Sequence, residues 1–240
     1  MGPIPSDDGV PHYFSDLYIT SYTPTLSALI ESCKPNKSSF EKPSVLLVAN
    51  PDDSLKEVWP EIWLVQRLNT VTRVTTLLGK RAKTSVVLEG LQDHQFSHFI
   101  CHGNLVPEKP FEASFGLYGG DRLTLLDVVR SRLPTVEFAF LSACHTAELT
   151  EGSIADKGLH LTAAAQYCGF RSVVGTMWAM ADQDGGDLAT HFYNLIFSSD
   201  ESGVLYHERS AQALRDAVRT MRKEKRLPLE QWVNFVHYGA

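Results

Sequence analysis

Cysteine is scarce in this chain, and the few cysteines present are not paired. Four of them stand among 240 residues, at positions 33, 101, 144 and 168, and no two have a C-x-x-C spacing. This pattern excludes a small secreted scaffold stapled by disulfides, and it disfavours a thiol oxidoreductase, which needs a nearby resolving cysteine. We therefore expect a protein of a reducing compartment, the cytoplasm.

Long apolar segments and an excess of positive charge are missing as well. No run approaches the roughly 18 apolar residues that span a bilayer, and the N-terminus lacks the basic and apolar regions of a secretion signal. Lysine and arginine total 22 against 28 aspartates and glutamates, a net charge of −6. These features disfavour a membrane or nucleic acid as the partner. The basic cluster at 222–226 is expected to be a solvated helix end.

Apolar runs alternate with segments of helical spacing from residue 45 onward. Continuous apolar or β-branched stretches predict strands at 45–49, 71–78, 96–101, 136–143 and 171–178. The alternation of these strands with helices predicts an α/β fold with a mainly parallel, caspase-like central sheet of about six strands, flanked by helices on both faces.

Helices are predicted between the strands because apolar residues recur there every three to four positions. The expected helices are at 58–68, from Thr84 to Leu91 with Thr84 as the cap, at 159–167, from a cap at Asp184 onward, and at 211–221. Residues 1–13 hold three prolines, two glycines and two aspartates, which predicts a flexible tail or linker before a single domain at 14–240.

Two predicted strands end in a chemically reactive side chain. His102 follows the strand at 96–101, and Cys144 follows the strand at 136–143, 144 − 102 = 42 residues later. Because the carboxyl ends of neighbouring parallel strands meet at one edge of a sheet, these side chains are expected to lie side by side. A thiol attacks a carbonyl group as the thiolate, which a nearby imidazole favours. The pattern predicts a cysteine peptidase that acts on a protein or peptide substrate.

Gly103, the residue after His102, is a candidate for binding the substrate backbone. Without a side chain it lets a substrate backbone come close, and its N–H can point at a carbonyl oxygen. Together with the N–H of Cys144 it is expected to form an oxyanion hole, in which each donor contributes about 3–4 kcal/mol in measured acyl-transfer enzymes. A cysteine or a histidine alone at a strand end more often belongs to the packing, so the hypothesis depends on the combination.

A metal site is the alternative use of these histidines, because His94, His98 and His102 recur every four residues. On a helix that spacing would align three imidazoles on one face. The alternation at 96–101 instead predicts an extended strand, in which His98 and His102 lie about 13 Å apart. No metal or other cofactor is therefore expected. Cys101 should point to the opposite face from His102 and is expected to be a core thiol.

Candidate substrate-binding residues follow the strand at 171–178. Trp178, Asp182 and Asp184 come at its carboxyl end, which is expected to lie beside the dyad. A carboxylate there pairs well with a basic P1 side chain, above all with the planar guanidinium of arginine. The structural alternatives are a helix N-cap for Asp184 and a core position for Trp178, whereas Asp182 is harder to explain as a cap.

Several ordered blocks of the sequence resemble the CHAT domain, the caspase-like module of clan CD cysteine peptidases related to caspases and separase. The resemblance runs over nearly the whole chain, through the blocks 19–29, 99–103 (FICHG), 141–147 (LSACHTA), 169–178 (GFRSVVGTMW) and 232–239 (WVNFVHYG). It implies His102 as the general base or imidazolium partner, Cys144 as the nucleophile, and Gly103 with Cys144 as the oxyanion hole.

The resemblance also has implications for specificity and regulation. In separase-like members an Asp four residues after the tryptophan favours Arg at P1, and Asp182 stands at 178 + 4 = 182. The Gln that precedes the nucleophile in caspases is absent here, which argues against strict cleavage after Asp. Relatives often follow helical repeats that hold or gate them, and many act in defence or regulated cell death. No such repeats occur here, so an isolated domain or a fragment is expected, with a helical-repeat region as a possible regulatory partner.

The rival hypothesis is a binding module, in which the caspase-like fold docks a partner and the dyad is idle. Intact His102 and Cys144 weigh against it. The polar segment at 145–157 is expected to be either a solvated connection or a loop that is cut on activation.

Overall fold

Nine strands lie in the part of the chain that the computed structural model describes. The described residues are 13–34, 43–51, 55, 58–68, 71–104, 106, 109–133, 135–142, 159–178, 182–197 and 206–240. The strands are β1 (Ser44–Ala49), β2 (Arg73–Leu78), β3 (Phe96–Ile100), β4 (Gly103–Asn104), β5 (Ser114–Gly116), β6 (Arg122–Thr124), β7 (Phe138–Ser142), β8 (Ser172–Thr176) and β9 (Phe235–Gly239).

Six of these strands form the central sheet, in the order β2-β1-β3-β7-β8-β9. Neighbouring strands run parallel except for β8 and β9, which are antiparallel. This mainly parallel sheet of six strands confirms the predicted α/β fold. Because β1, β3, β7 and β8 run in the same direction, they end together at one edge, which we call the carboxyl edge.

Helices cover both faces of the sheet, as predicted. They are α1 (Phe14–Leu17), α2 (Leu26–Ser32), α3 (Trp59–Gln66), α4 (Thr84–Asp93), α5 (Leu125–Ser131), α6 (Leu159–Tyr167), α7 (Asp182–Ile196), α8 (Tyr206–Lys225) and α9 (Leu229–Trp232). Within the described ranges, no helix has both the length and the apolar character that crossing a membrane requires.

The core consists of two apolar layers, one on each face of the sheet, because alternate residues of a strand point to opposite faces. Leu46 and Phe99 belong to the layer beneath α4, α5 and α6. Leu47 and Phe140 belong to the layer beneath α3, α7 and α8. Cys101 is fully buried in the first layer, which confirms the prediction of a core thiol.

A second sheet, which the sequence analysis did not predict, consists of β4, β5 and β6. Its strands are antiparallel and only two or three residues long. Such short strands carry too little alternation of apolar and polar residues to be recognised. This sheet bears on function because β4 begins at Gly103, directly after His102.

The predicted N-caps of two helices, Thr84 and Asp184, lie inside those helices. The N-cap of α4 is Lys83, and Thr84 is its first residue. The N–H and the hydroxyl of Thr84 both donate to the carboxylate of Asp121 at 2.9 Å, and these bonds help to lower the pKa of Asp121. A carboxylate from a distant segment therefore takes the capping role. The other helix, α7, begins at Asp182, so Asp184 is its third residue and not its cap.

The basic cluster at 222–226 is only partly solvated. Arg222 donates to the carboxylate of Asp16 at 2.6 Å, and its guanidinium lies 5.2 Å from the ring centre of Tyr13 and 4.9 Å from that of Trp232. A residue predicted as part of a solvated helix end thus fixes the first described helix to α8. Tyr13, the last residue of the predicted tail, is packed in the same contact.

Candidate active site

Backbone hydrogen bonds join three segments where they leave the carboxyl edge. The N–H of Asn50, which directly follows β1, donates to the carbonyl oxygen of Ile100 at 3.0 Å. The N–H of Gly116 in β5 donates to the carbonyl oxygen of His102 at 2.7 Å. The side-chain amide of Asn50 also donates to the carbonyl oxygen of Gly116, at 3.5 Å. The backbone on both sides of His102 is therefore fixed, and its side chain is half-buried.

Gly103 has a defined place in the small sheet. It lies directly opposite Phe115, and the preceding pair, His102 and Gly116, is joined by the 2.7 Å hydrogen bond. Hydrogen-bonded and non-hydrogen-bonded pairs alternate along an antiparallel ladder. The Gly103–Phe115 pair is therefore non-hydrogen-bonded, and the N–H of Gly103 points away from β5. This orientation is compatible with an oxyanion-hole donor.

Strand β7 runs to the same edge, toward the second member of the predicted dyad. Ile100 pairs with Ser142 at the end of the parallel ladder between β3 and β7. His102 follows Ile100 by two residues, and Cys144 follows Ser142 by two. Their segments thus leave the sheet at the same level. Cys144 itself lies outside the described residues, as does the segment 145–157.

A buried polar network lies below this edge, and the sequence analysis did not predict it. The hydroxyl of Ser142 donates to Oε2 of Glu61 in α3 at 3.0 Å. Nε2 of His98 in β3 lies 2.9 Å from Oε1 of Glu61, and Nδ1 of His98 lies 2.7 Å from the hydroxyl of Tyr193 in α7. Glu61 is 1% exposed and His98 is 0% exposed. Burial, and then the charge of Glu61, raises the pKa of Tyr193 well above its usual value, so the phenol keeps its proton.

Trp178, a predicted substrate-binding residue, is held at the end of β8 by Asn234. Oδ1 of Asn234 accepts hydrogen bonds from the N–H of Met177 at 2.9 Å and of Trp178 at 2.8 Å, and its Nδ2 donates to the carbonyl oxygen of Trp178 at 3.0 Å. The indole N–H of Trp178 donates to the carbonyl oxygen of Glu230 at 3.2 Å. The half-buried indole thus has a fixed position at the carboxyl edge. Asn234 was not predicted as part of the site.

The other two predicted substrate-binding residues lie in the first turn of α7. Asp182 is the first residue of the helix and Asp184, which is buried, is the third. Carboxylates are favourable in the first turn because they face the positive end of the helix dipole. The start of the helix therefore accounts for Asp184 locally, and the role of both residues in substrate binding stays a prediction.

The histidines of the metal alternative have separate partners. Nε2 of His94 lies 2.7 Å from the hydroxyl of Thr75, and burial lowers the pKa of His94. His98 contacts Glu61 instead, and the segment that follows His94 is the extended strand β3. Across the described ranges, no three His, Cys, Asp or Glu side chains are grouped so that they could hold a metal ion.

Solved structures show the same architecture at low sequence identity. The Arg-specific cysteine proteinase gingipain R (RgpB) gives a TM-score of 0.51 at 8% identity, over 82% of this chain and 46% of that chain. The complex of the pro- and mature domains of Porphyromonas gingivalis RgpB gives 0.57 at 10% identity, over 82% and 47%. The Saccharomyces cerevisiae separase–securin complex gives 0.55 at 12% identity, over 91% and 14%. The chain therefore has the caspase-like fold of these cysteine proteases.

A family model gives a narrower assignment. The model of the CHAT domain matches residues 4–240, so the chain belongs to the CHAT-domain family, as the resemblance of its sequence blocks implies. No curated protein sequence matches the chain. The chain spans less than half the length of the gingipain chains and about a seventh of the separase chain.

Proposed function

We propose that the chain is a cysteine endopeptidase in which Cys144 is the nucleophile and His102 is its proton partner. The observation that carries the proposal is the register of the ladder between β3 and β7, which ends at Ile100 and Ser142. Because of this register, the segments that follow β3 and β7 leave the sheet at the same level. Membership of the CHAT-domain family and the caspase-like fold support the same chemistry.

The proposed reaction has an acylation step and a hydrolysis step. The thiolate of Cys144 attacks the carbonyl carbon of the scissile bond, and the N–H groups of Gly103 and Cys144 stabilise the charge that develops on the carbonyl oxygen. The C–N bond then breaks, His102 donates a proton to the departing amine, and a thioester is left. Water gives a proton to His102 and attacks the thioester, which releases the carboxylic acid and restores the thiolate.

A basic P1 side chain is part of the proposal. In this proposal Asp182, the first residue of α7, pairs with the charge of the P1 side chain, and Trp178 forms an apolar wall for the aliphatic part of an arginine or lysine. Asp184 adds a second acidic group in the same turn. The structure of gingipain R, an Arg-specific proteinase with the same fold, supports this preference.

Protein partners and a cytoplasmic location complete the proposed function. The separase structure contains securin and one RgpB structure contains its pro-domain, so proteins of this fold are seen bound to protein partners. A helical-repeat region is the proposed regulator, and defence or regulated cell death is the proposed type of pathway. The exposed Cys33 is a free thiol, which is compatible with a reducing compartment.

Labelling with an electrophilic peptide tests the proposed chemistry. The purified chain is treated with a peptidyl acyloxymethyl ketone that carries arginine at P1, and the adduct is located by peptide mass mapping. One adduct on Cys144 is expected. It should be lost in Cys144→Ala and retained in Cys33→Ala, the control at an exposed thiol. Labelling of Cys144 no faster than that of Cys33 would support the idle binding module instead. Peptide cleavage that is unchanged in Cys144→Ala would contradict the role of Cys144 as the nucleophile.

Matched probes test the P1 preference separately. The same ketone is prepared with arginine, leucine or aspartate at P1, and inactivation rates are compared in the native chain and in Asp182→Asn. The native chain is expected to prefer arginine, and Asp182→Asn is expected to lose most of that preference. Equal rates for the three probes, or a preference unchanged in Asp182→Asn, contradict the role of Asp182 and leave the role of Cys144 intact.

A further inference from the structure

One buried carboxyl bridges the two strands that lead to the proposed dyad. Glu61 contacts Ser142, the last residue of β7, at 3.0 Å. It also contacts His98, two residues before the end of β3, at 2.9 Å. Both contacts lie on the same face of the sheet, beneath α3. A single side chain therefore links β3 and β7 just where their ladder ends.

The hydrogen-bond directions in this network are mutually consistent. A carboxylate only accepts, so the hydroxyl of Ser142 donates to Oε2 of Glu61, and the Nε2–H of His98 donates to Oε1. Nδ1 of His98 then accepts from the hydroxyl of Tyr193. The raised pKa of Tyr193 keeps that proton in place. Removing one member leaves another buried polar group without its partner, which is costly.

A contribution to stability does not by itself explain why a carboxyl group is buried at position 61. Burying a carboxyl requires its desolvation, and well-packed apolar residues often replace buried ion pairs without loss of stability. The place of Glu61 suggests a different role. Beyond the pair of Ile100 with Ser142, the ladder between β3 and β7 no longer sets the separation of the two segments. Strand β4 instead pairs with β5.

We propose, on the basis of the peptidase function above, that Glu61 is a positioning residue that fixes the spacing of His102 and Cys144 through His98 and Ser142. A misplacement of reacting groups by about 1 Å can lower a rate by about 10²-fold, so a link at this point controls the chemistry without touching the substrate. Glu61 also lies close to the backbone of α7, because a Cβ atom at Gly186 would lie 3.6 Å from the Cβ of Glu61.

Four variants separate positioning from general stability. Glu61→Gln keeps the shape of the side chain and removes its charge, Ser142→Ala removes only the link to β7, and Tyr193→Phe removes only the far hydroxyl. The matched control is Ser172→Ala, because Ser172 is an equally buried strand residue whose hydroxyl contacts His237 at 2.7 Å, away from the carboxyl edge.

Peptide cleavage and thermal unfolding are measured for each variant. Glu61→Gln and Ser142→Ala are expected to lower kcat by about 10- to 100-fold with KM nearly unchanged, because the misplaced groups act after substrate has bound. Tyr193→Phe should change kcat in the same direction by a smaller factor. Ser172→Ala should lower Tm by a similar amount to Ser142→Ala and leave kcat at the native value.

Hydrogen exchange provides a second measurement that does not depend on activity. In Glu61→Gln, exchange is expected to accelerate in peptides that contain Ile100 and Ser142, and to be unchanged in the middle of β1. The proposal is overturned if exchange at these strand ends and kcat both match the Ser172→Ala control. If the native chain cleaves no peptide, the peptidase function fails, while exchange still decides whether Glu61 holds the strand ends.

Discussion

Among the described residues, the buried networks around His98 and His237 lie toward opposite ends of the sheet, and these two histidines differ in their direct partners. At the carboxyl edge, His98 contacts the carboxyl of Glu61. At the start of β8, His237 contacts the hydroxyls of Ser172 and Ser21, each at 2.7 Å. The first network includes an acidic group and reaches the strand that leads to Cys144. The second has hydroxyl partners and lies away from the proposed site.

The network at the start of β8 is architectural. The N–H of Tyr22 donates to the carbonyl oxygen of His237 at 2.8 Å, and the N–H of Gly239 donates to that of Tyr22 at 2.9 Å, so the segment before α2 lies along β9. Burial, and then the charge of His207, lowers the pKa of His237 to about 3. A buried histidine therefore does not by itself indicate a catalytic role. A carboxyl partner at the end of a strand is the more informative sign.

The largest expected effect is a loss of activity, with little loss of stability, when His102 is replaced. His102→Ala should lower kcat/KM for an arginine peptide by about 10²- to 10⁴-fold, because a positioned acid–base group contributes that much, and should change Tm little. The control is His191→Ala, since His191 is also partly exposed and pairs with Glu224 at 3.1 Å on the helical surface. Equal activity in the two variants contradicts the role of His102.

The next effect concerns stability near the other network. A Cβ atom at Gly239 would lie 2.2 Å from the carbonyl oxygen of Arg171, and the φ of Gly239 is +137°. Gly239→Ala is therefore expected to lower the free energy of unfolding by about 3 kcal/mol or more, with kcat per folded molecule unchanged.

Urea unfolding of Gly239→Ala and of Gly119→Ala measures this effect. Gly119 also has a positive φ, +71°, but no atom lies within 4 Å of its added Cβ. Gly119→Ala should therefore show the cost of backbone strain alone, about 1–2 kcal/mol. A loss in Gly239→Ala no greater than that in the control is evidence against the close approach of β9 to Arg171.

A smaller effect on stability and on substrate binding is expected at Asn234, which holds the backbone of Trp178. Asn234→Ala leaves the backbone N–H of Trp178 without its acceptor and the carbonyl oxygen of Trp178 without its donor, whereas the N–H of Met177 keeps the carbonyl oxygen of residue 234 as an acceptor. The free energy of unfolding should fall by about 1–3 kcal/mol. Because Trp178 is then less fixed, KM for arginine peptides should rise. Asn234→Asp keeps the acceptor and should be milder in both measurements. An unchanged KM in Asn234→Ala argues that Trp178 lies outside the substrate-binding site.

The most gradual effect, at most about 1.4 kcal/mol for each pH unit, is a pH dependence from the architectural histidine. The pKa of His237 is about 3 in the folded chain, against an ordinary value of 6.5. The unfolded chain therefore binds a proton below about pH 6.5 that the folded chain does not, and the free energy of unfolding falls by at most about 1.4 kcal/mol per pH unit as pH drops from there toward about 3. Urea midpoints between about pH 7 and about pH 5 measure the slope. His237→Asn should flatten it, and an equal slope in both chains removes His237 as its source.

The central strands could be predicted from sequence because they are buried on both faces. β1 is a continuous apolar run after its first residue, β7 is apolar up to its last residue, and β3 carries polar residues between apolar ones. Each strand lies within two residues of its predicted bounds. His102 could be predicted as a candidate in the same way, because it directly follows the strand predicted at 96–101. Gly103 is the next residue. An apolar run that stops at a polar residue marks both a strand and its end.

Contacts between distant segments account for what could not be predicted. Asp121 acts as the cap of α4 from 37 residues beyond Thr84, and no local pattern shows this. Glu61 stands beside the apolar residue Ile62 and gives no sign in sequence that it turns inward to β3 and β7. The role of Asn234 likewise follows only from its hydrogen bonds to the backbone of Met177 and Trp178, just after β8. The small sheet was missed because its strands are too short to carry a period.

A crystal structure of the chain inactivated by a peptidyl arginine ketone is the decisive test of the proposed pair of His102 and Cys144. We expect a covalent bond to the sulfur of Cys144, the ring of His102 within hydrogen-bonding distance of the adduct, and the N–H of Gly103 directed at the oxygen of the former carbonyl. A sulfur and an imidazole held too far apart to share one substrate atom, with inhibitor bound elsewhere, would contradict it.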